Sequence, residues 1–167
     1  MHPAKDIHCV AFIDSERYCT TAQDGRIRVW NILDQREAYS CHGHAGPVYA
    51  VLSDPEHQVV ISAGKDGAIY RFAMRNGENF GQLAAGNDSI VDIQLDPIAK
   101  ILAFARGGQI GWTSADRAGE PRSIQAHARG VTGIALSENA QQLFSIGADG
   151  SLRCWDVASG RCLLGAC

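Results

Sequence analysis

Gly25, Gly67, Gly108 and Gly150 recur 42, 41 and 42 residues apart, three of them as Asp-Gly with Asp24, Asp66 and Asp149. A fixed period of that length restricts the chain to one supersecondary unit made four times. A spaced apolar pair keeps the same beat, reading Ile7/Val10, Val48/Val51, Ile90/Ile93 and Val131/Ile134. A third landmark, Gly77, Gly119 and Gly160, marks the last three repeats; the first has Gln35 there and so a weaker turn signal.

Between the landmarks lie short runs of β-branched and aromatic residues, such as Ile27–Trp30, Val59–Ile61 and Leu143–Ile146. Runs of about four to six residues suit strands rather than helices. Asp-Gly between two such runs signals a hairpin, because glycine accepts the positive φ that a tight turn of the right twist demands. Each repeat therefore predicts four short antiparallel strands, placed in the last repeat at 131–136, 143–146, 152–156 and 162–165. No stretch carries a sustained helical period. The spacing of three within the apolar pair departs from strict alternation and predicts a β-bulge in the first strand; the alternative is that one member faces a neighbouring sheet.

His44, Ser62 and Asp66 of the second repeat, and His127, Ser145, Asp149 and Trp155-Asp156 of the fourth, resemble the Gly-His … Trp-Asp pattern of the WD-repeat β-propeller family. The first repeat matches with Thr20, Asp24 and Trp30-Asn31, the second has Phe72 for Trp, and the fourth has Ala126 for Gly. The third departs most, with Ala85-Gly86 for Gly-His, Ala103 for the hydroxyl, Gly107-Gly108 for Asp-Gly and Trp112 one place early.

The resemblance covers essentially the whole sequence and implies an all-β fold of four WD-type β-propeller blades. Residues 1–167 would form a partial β-propeller, with repeats about 1–41, 42–84, 85–125 and 126–167. It also implies a buried structural tetrad of His127, Ser145, Asp149 and Trp155, complete only in the fourth repeat. There the imidazole would bridge the turn carboxylate and a strand hydroxyl, which accepts the indole N–H and so satisfies groups that burial penalises. Propeller rings hold about 4 to 8 blades, and this family sits near the upper part of that range. Its rings commonly close by pairing a strand from the chain's start into the last blade, and no such strand is left over here. The expectation is part of a larger ring, with the missing blades supplied by a longer chain or by a second copy, since an open arc would bare sheet edges and an apolar blade face.

At 46% apolar, 20% charged and a net charge of −3, the chain can fill a sizeable core without an acidic or basic tail. No run approaches the roughly 18 apolar residues of a membrane span, and Met1–Asp6 lacks the apolar stretch of a signal peptide. The expectation is a cytoplasmic protein, with the nucleus as the other open compartment and no membrane partner. Six cysteines, Cys9, Cys19, Cys41, Cys154, Cys162 and Cys167, then read as reduced thiols.

Four kinds of chemistry compete with structural roles. Cys41-His42-Gly43-His44 is a local cluster of metal-ligand types, but a closed zinc site needs about four ligands; His44 fills the tetrad position, so no metal and no cofactor are expected. Ser62 or Ser145 with a His and an Asp has hydrolase composition, yet neither lies in a Gly-x-Ser-x-Gly turn, and Gly107-Gly108 reads as a hairpin rather than a phosphate cradle. Lys65, Arg71 and Arg75 cluster, but the acidic balance argues against direct nucleic-acid binding.

By resemblance, the chain is expected to be a protein-protein interaction scaffold and not an enzyme, with other proteins as partners. The alternative is a regulatory propeller domain of a larger enzyme. Family contacts fall at the first-strand entry, here His8, Tyr49, Val91 and Thr132, and at the residue before the turn Asp, here Gln23, Lys65, Arg106 and Ala148. Tyr49 and Arg106 lead the set because Tyr and Arg are favoured interface anchors; the competing role for Tyr49 is packing on a neighbour.

Overall fold

Turn residues and strand runs together build sixteen strands and no helix among the residues that the computed structural model describes, 6–116 and 119–165. Met1–Lys5 and Cys167, used in the readings above, lie outside them. Among the described residues no helix is long and apolar enough to cross a membrane. The strands are β1 (Ile7–Phe12), β2 (Arg17–Ala22), β3 (Ile27–Asn31) and β4 (Glu37–Cys41) in sheet one; β5 (Val48–Asp54), β6 (Val59–Gly64), β7 (Ile69–Ala73) and β8 (Asn79–Ala84) in sheet two. Sheet three holds β9 (Ile90–Asp96), β10 (Ile101–Arg106), β11 (Gln109–Ser114) and β12 (Arg122–Gln125); sheet four holds β13 (Val131–Leu136), β14 (Gln142–Gly147), β15 (Leu152–Asp156) and β16 (Cys162–Leu164). Every sheet is an antiparallel meander in chain order, the four-stranded unit of a propeller blade.

The chain falls into two units, residues 1–89 with sheets one and two, and residues 90–167 with sheets three and four. Directly opposed residues of an antiparallel pair share a face and neighbours alternate, so the registers define two faces per sheet. One carries the second member of the landmark pair, as in Val51, Ser62, Val60 and Phe72 of sheet two; it is called the landmark face below. In the first unit the other face of sheet one, with Cys19, Val29 and Ala11, packs against the landmark face of sheet two in a core that includes Ile27, Val48, Val51, Val60 and Phe72. In the second unit the other face of sheet three, with Ala103, Ala105, Ile110 and Trp112, packs against Val131, Ile134, Leu143 and Trp155 of sheet four.

Every first strand carries a bulge. The register passes from Ile7↔Ala22 to Cys9↔Thr21, from Val48↔Gly64 to Ala50↔Ala63, from Ile90↔Arg106 to Asp92↔Ala105 and from Val131↔Gly147 to Gly133↔Ile146. His8, Tyr49, Val91 and Thr132 are the unpaired extra residues, which accounts for the landmark spacing of three.

Turn geometry separates the third repeat from the others. Gly25, Gly67 and Gly150 have φ of 78°, 70° and 77°, and a Cβ on Gly67 would lie 2.2 Å from the Gly86 carbonyl oxygen. In sheet three the hairpin is shorter, with Arg106 opposite Gln109, and the positive φ of 54° falls on Gly107 rather than Gly108. Aligning strands from this turn puts Phe104, not Ala103, in the hydroxyl position: Phe104 faces Ile93 as Ser145 faces Ile134. Ala103 sits on the other face, and the Phe104 ring lies across Gly111, where a Cβ would come within 2.3 Å of its Cζ.

The cysteine expectation needs a correction. Cys9, Cys19, Cys41 and Cys154 are free, but Cys162 is disulfide-bonded. Compartment and spacing alone do not register that bond, which is made from an outer strand. Cys19 and Cys41 are core thiols, both pushed up to about 12 by burial.

Gln35 makes the turn that glycine makes elsewhere. Its φ is 55°, against 74° for Gly77 and Gly160, and its N–H donates to Asn31 O at 3.0 Å as Gly77 N–H does to Ala73 O at 2.9 Å. Gly119 does not take a left-handed φ. Left-handed backbone costs a non-glycine residue about 1–2 kcal/mol, partly offset by the extra unfolded-state freedom of glycine. Gln35→Gly is therefore expected to stabilise the chain by up to about 1 kcal/mol, read as a raised denaturation midpoint.

Candidate functional site

In sheet four the strand hydroxyl, imidazole and turn carboxylate form one donor chain. Trp155 Nε1–H donates to Ser145 Oγ at 3.0 Å. Ser145 Oγ lies 2.8 Å from His127 Nε2, and His127 Nδ1 lies 3.0 Å from Asp149 Oδ1. With the carboxylate accepting at Nδ1–H, Nε2 is left to accept the Ser145 hydroxyl proton, so each group is both satisfied and oriented. His127, Ser145 and Trp155 are buried. A hydroxyl held between an indole and an imidazole in the core offers no open approach to a carbonyl.

Sheet two makes the same chain without an indole. His44 Nδ1 lies 2.9 Å from Asp66 Oδ1 and its Nε2 lies 2.9 Å from Ser62 Oγ, while Tyr70 meets the imidazole edge-on at 4.8 Å between centroids. His44 is thus engaged by Asp66 and Ser62; of its neighbours in sequence, Cys41 is in the core and His42 contacts Ser40 Oγ at 3.0 Å. Sheet one keeps the indole end, Trp30 Nε1–H donating to Thr20 Oγ1 at 2.9 Å. There Asp24 accepts from the Arg28 guanidinium instead of a histidine, a substitution hinted at only by an arginine two places before the tryptophan in a repeat without the histidine.

The carboxylates respond to these partners. Asp149 is held well below the usual carboxylate range, chiefly by the Ser151 hydroxyl, then by the Ser151 N–H and His127. For Asp66, burial works upward, but hydrogen bonds from His44 and the Ala45 N–H outweigh it and hold the group down.

The expected contact residues lie at the bulges and beside the turns. In the first unit, His8 Nε2–H donates to Gln23 Oε1 at 3.1 Å, and the His8 ring meets Tyr49 edge-on at 5.2 Å. Three of the residues are thus brought together; Tyr49 is half-buried by that packing, and Lys65 is exposed at the corresponding end of sheet two. In the second unit, Arg106 is half-buried with its guanidinium 5.0 Å from the Phe104 ring centroid. Thr132 Oγ1–H donates to Ile146 O at 3.2 Å, and Val91 and Ala148 are exposed. Asp92, beside the bulge of β9, escaped the sequence reading; its Oδ2 accepts the Ile134 N–H at 2.9 Å.

Comparison with known proteins matches residues 1–31, 35–71 and 119–156 to the family described as WD domain, G-beta repeat. The matched stretches leave out the strands that carry Phe104 and Gly111. Human Striatin-4 is 26% identical over 165 residues, covering 92% of this chain and 18% of that protein. A chicken (Gallus gallus) p21-activated protein kinase-interacting protein 1-like is 27% identical over 123 residues, covering 74% of this chain and 33% of its own length. Cell division control protein 4 of Saccharomyces cerevisiae is 29% identical over 134 residues, 80% of this chain and 14% of that protein. The chain thus spans a third or less of the length of these relatives.

Trp155→Ala is expected to cost about 3–5 kcal/mol, and Ser145→Ala, which strands the indole N–H and the imidazole, about 1–3 kcal/mol, both read by denaturant unfolding. Asp66 and Asp149 have folded-state pKa values below the ordinary 3.8. Their contribution is therefore fully present above the unfolded value and is lost as pH falls through and below it. Asp66→Asn is expected to flatten the fall in stability between about pH 5 and pH 2, as measured by melts across that range.

Proposed function

This chain belongs to the WD domain, G-beta repeat family, and from that premise we propose that it is a protein-protein interaction scaffold without catalytic activity of its own. The observation that carries the reading is the bulge in every first strand, which lifts one side chain out of the ladder beside the residue that precedes the turn. In the first unit the surface is Tyr49, His8, Gln23 and Lys65; in the second it is Arg106 and Thr132. His127, Ser145, Asp149 and Trp155 act as a structural tetrad that holds the turn in place. The chicken relative's name, which describes a protein interacting with p21-activated kinase, supports the interaction reading. Residues 1–167 act as one partial propeller, in the cytoplasm. Because the chain spans so little of its relatives' length, a regulatory propeller domain of a larger enzyme is the second reading.

The test compares capture of proteins from a cell extract by the immobilised chain and by its Tyr49→Ala, Arg106→Ala and Glu56→Ala variants, with quantitative mass spectrometry. Glu56 is exposed in the turn at the other end of sheet two. Loss of an anchor worth about 2 kcal/mol lowers affinity roughly thirtyfold, so specific proteins are expected to disappear with the first or second variant and persist with the third. Retention unchanged by both anchors would sink the surface.

A further inference from the structure

The first strands of the two sheets in a unit meet near their bulges, and each unit ties that meeting point with a different side chain. β1, β5, β9 and β13 are all edge strands of their sheets, so an N–H that faces away from the sheet finds no ladder partner there. In the first unit the tie is a ring contact: His8, the extra residue of β1, meets Tyr49, the extra residue of β5, edge-on at 5.2 Å. Val91 and Thr132 stand at the same two places in the second unit. Neither brings a ring, and Thr132 Oγ1–H turns to Ile146 O of its own sheet. The tie passes instead to the next residue of β9. Asp92, half-buried, accepts the Ile134 N–H of β13 on its Oδ2 at 2.9 Å.

Cys9, Ala50 and Gly133 are the matching residues of the other first strands, opposite Thr21, Ala63 and Ile146 as Asp92 is opposite Ala105. None of them carries a carboxylate, and Cys9 Sγ lies 3.9 Å from Val10 O of its own strand. A carboxylate that accepts a backbone N–H makes a charge-assisted bond, the stronger kind. This one fixes β13 two residues beyond Thr132, while β9 pairs through Ile90 with Arg106 at the end of β10. A single connected path therefore runs from Arg106 through β9 and Asp92 to the bulge that carries Thr132.

We propose that Asp92 is a positioning residue of the second unit's partner surface, holding Thr132 in place relative to Arg106, a role that rests on the interaction reading of that surface. Side chains already held in place lose less freedom when a partner docks, so the carboxylate acts on affinity without touching the partner.

Asp92→Ala and Asp92→Asn test this by three measurements: amide hydrogen exchange at Ile134, a thermal melt, and retention of the proteins that Arg106→Ala fails to retain. Asparagine keeps an oxygen that can accept the N–H. With Asp92→Ala, exchange at Ile134 is expected to be at least about tenfold faster and retention about fivefold weaker, with the melt close to that of the parent. Asp92→Asn is expected to restore most of both. Unchanged exchange at Ile134 overturns the tie. Faster exchange with undiminished retention overturns the positioning role and leaves the surface reading standing. A loss of retention that Asp92→Asn shares in full, with slow exchange restored, means that the charge itself meets the partner and also overturns positioning. Retention that is insensitive to Arg106→Ala overturns the surface reading, and with it what Asp92 would position.

Discussion

A four-stranded sheet of three- to seven-residue strands with apolar side chains on both faces cannot bury itself. Each sheet here depends on a neighbour, and the dependence has a direction. Cys19 and Val29 of sheet one meet Val51 and Phe72 of sheet two; Ala105 and Trp112 of sheet three meet Ile134 and Trp155 of sheet four. Register therefore matters more than local strand propensity, since a slip of one residue would exchange the two faces and leave neither able to meet its counterpart. The periodic landmarks are the visible trace of that requirement.

Within this frame a single register position is filled in two incompatible ways. Ser145 and Ser62 carry a polar chain to an imidazole and a turn carboxylate, while Phe104 carries a ring laid over Gly111. The choice follows from what surrounds the position. Sheet three has Gly86 where the histidine would be and a two-residue hairpin with no turn aspartate. A hydroxyl there would be buried without partners, and a half-satisfied polar network is costlier than an apolar one. Phenylalanine and glycine together restore the volume without the polar demand. Sheet one shows an intermediate state, its indole and Thr20 hydroxyl joined while Asp24 turns to Arg28.

The four sheets and their order were legible because the Asp-Gly turns and the spaced apolar pair repeat with almost constant period. β13 and β15 fall on the boundaries that the pattern predicts, Val131–Leu136 and Leu152–Asp156. Sheet three exposed the limit of counting: its hairpin is shorter, so counting back from Gly108 assigned Ala103 to a position that Phe104 occupies. Contacts governed by side-chain reach rather than by period were also invisible, among them Asp92 to the Ile134 N–H and Arg28 to Asp24. Turn residues proved permissive in the same way, with Gln35 making by backbone hydrogen bonding the bend expected of glycine.

The bulges separate two kinds of information in the chain. A residue inside the ladder is constrained by its opposite number on the next strand and by the sheet below it. His8, Tyr49, Val91 and Thr132 have no such opposite number, and an imidazole, a phenol, an isopropyl group and a secondary alcohol already occupy one backbone position in four copies. Changes at these places edit the chemistry displayed while leaving the scaffold's folding instructions unaltered. Four copies of the unit thus give four sites outside the ladder, which lets a duplicated sequence acquire new surface chemistry without first finding a new fold.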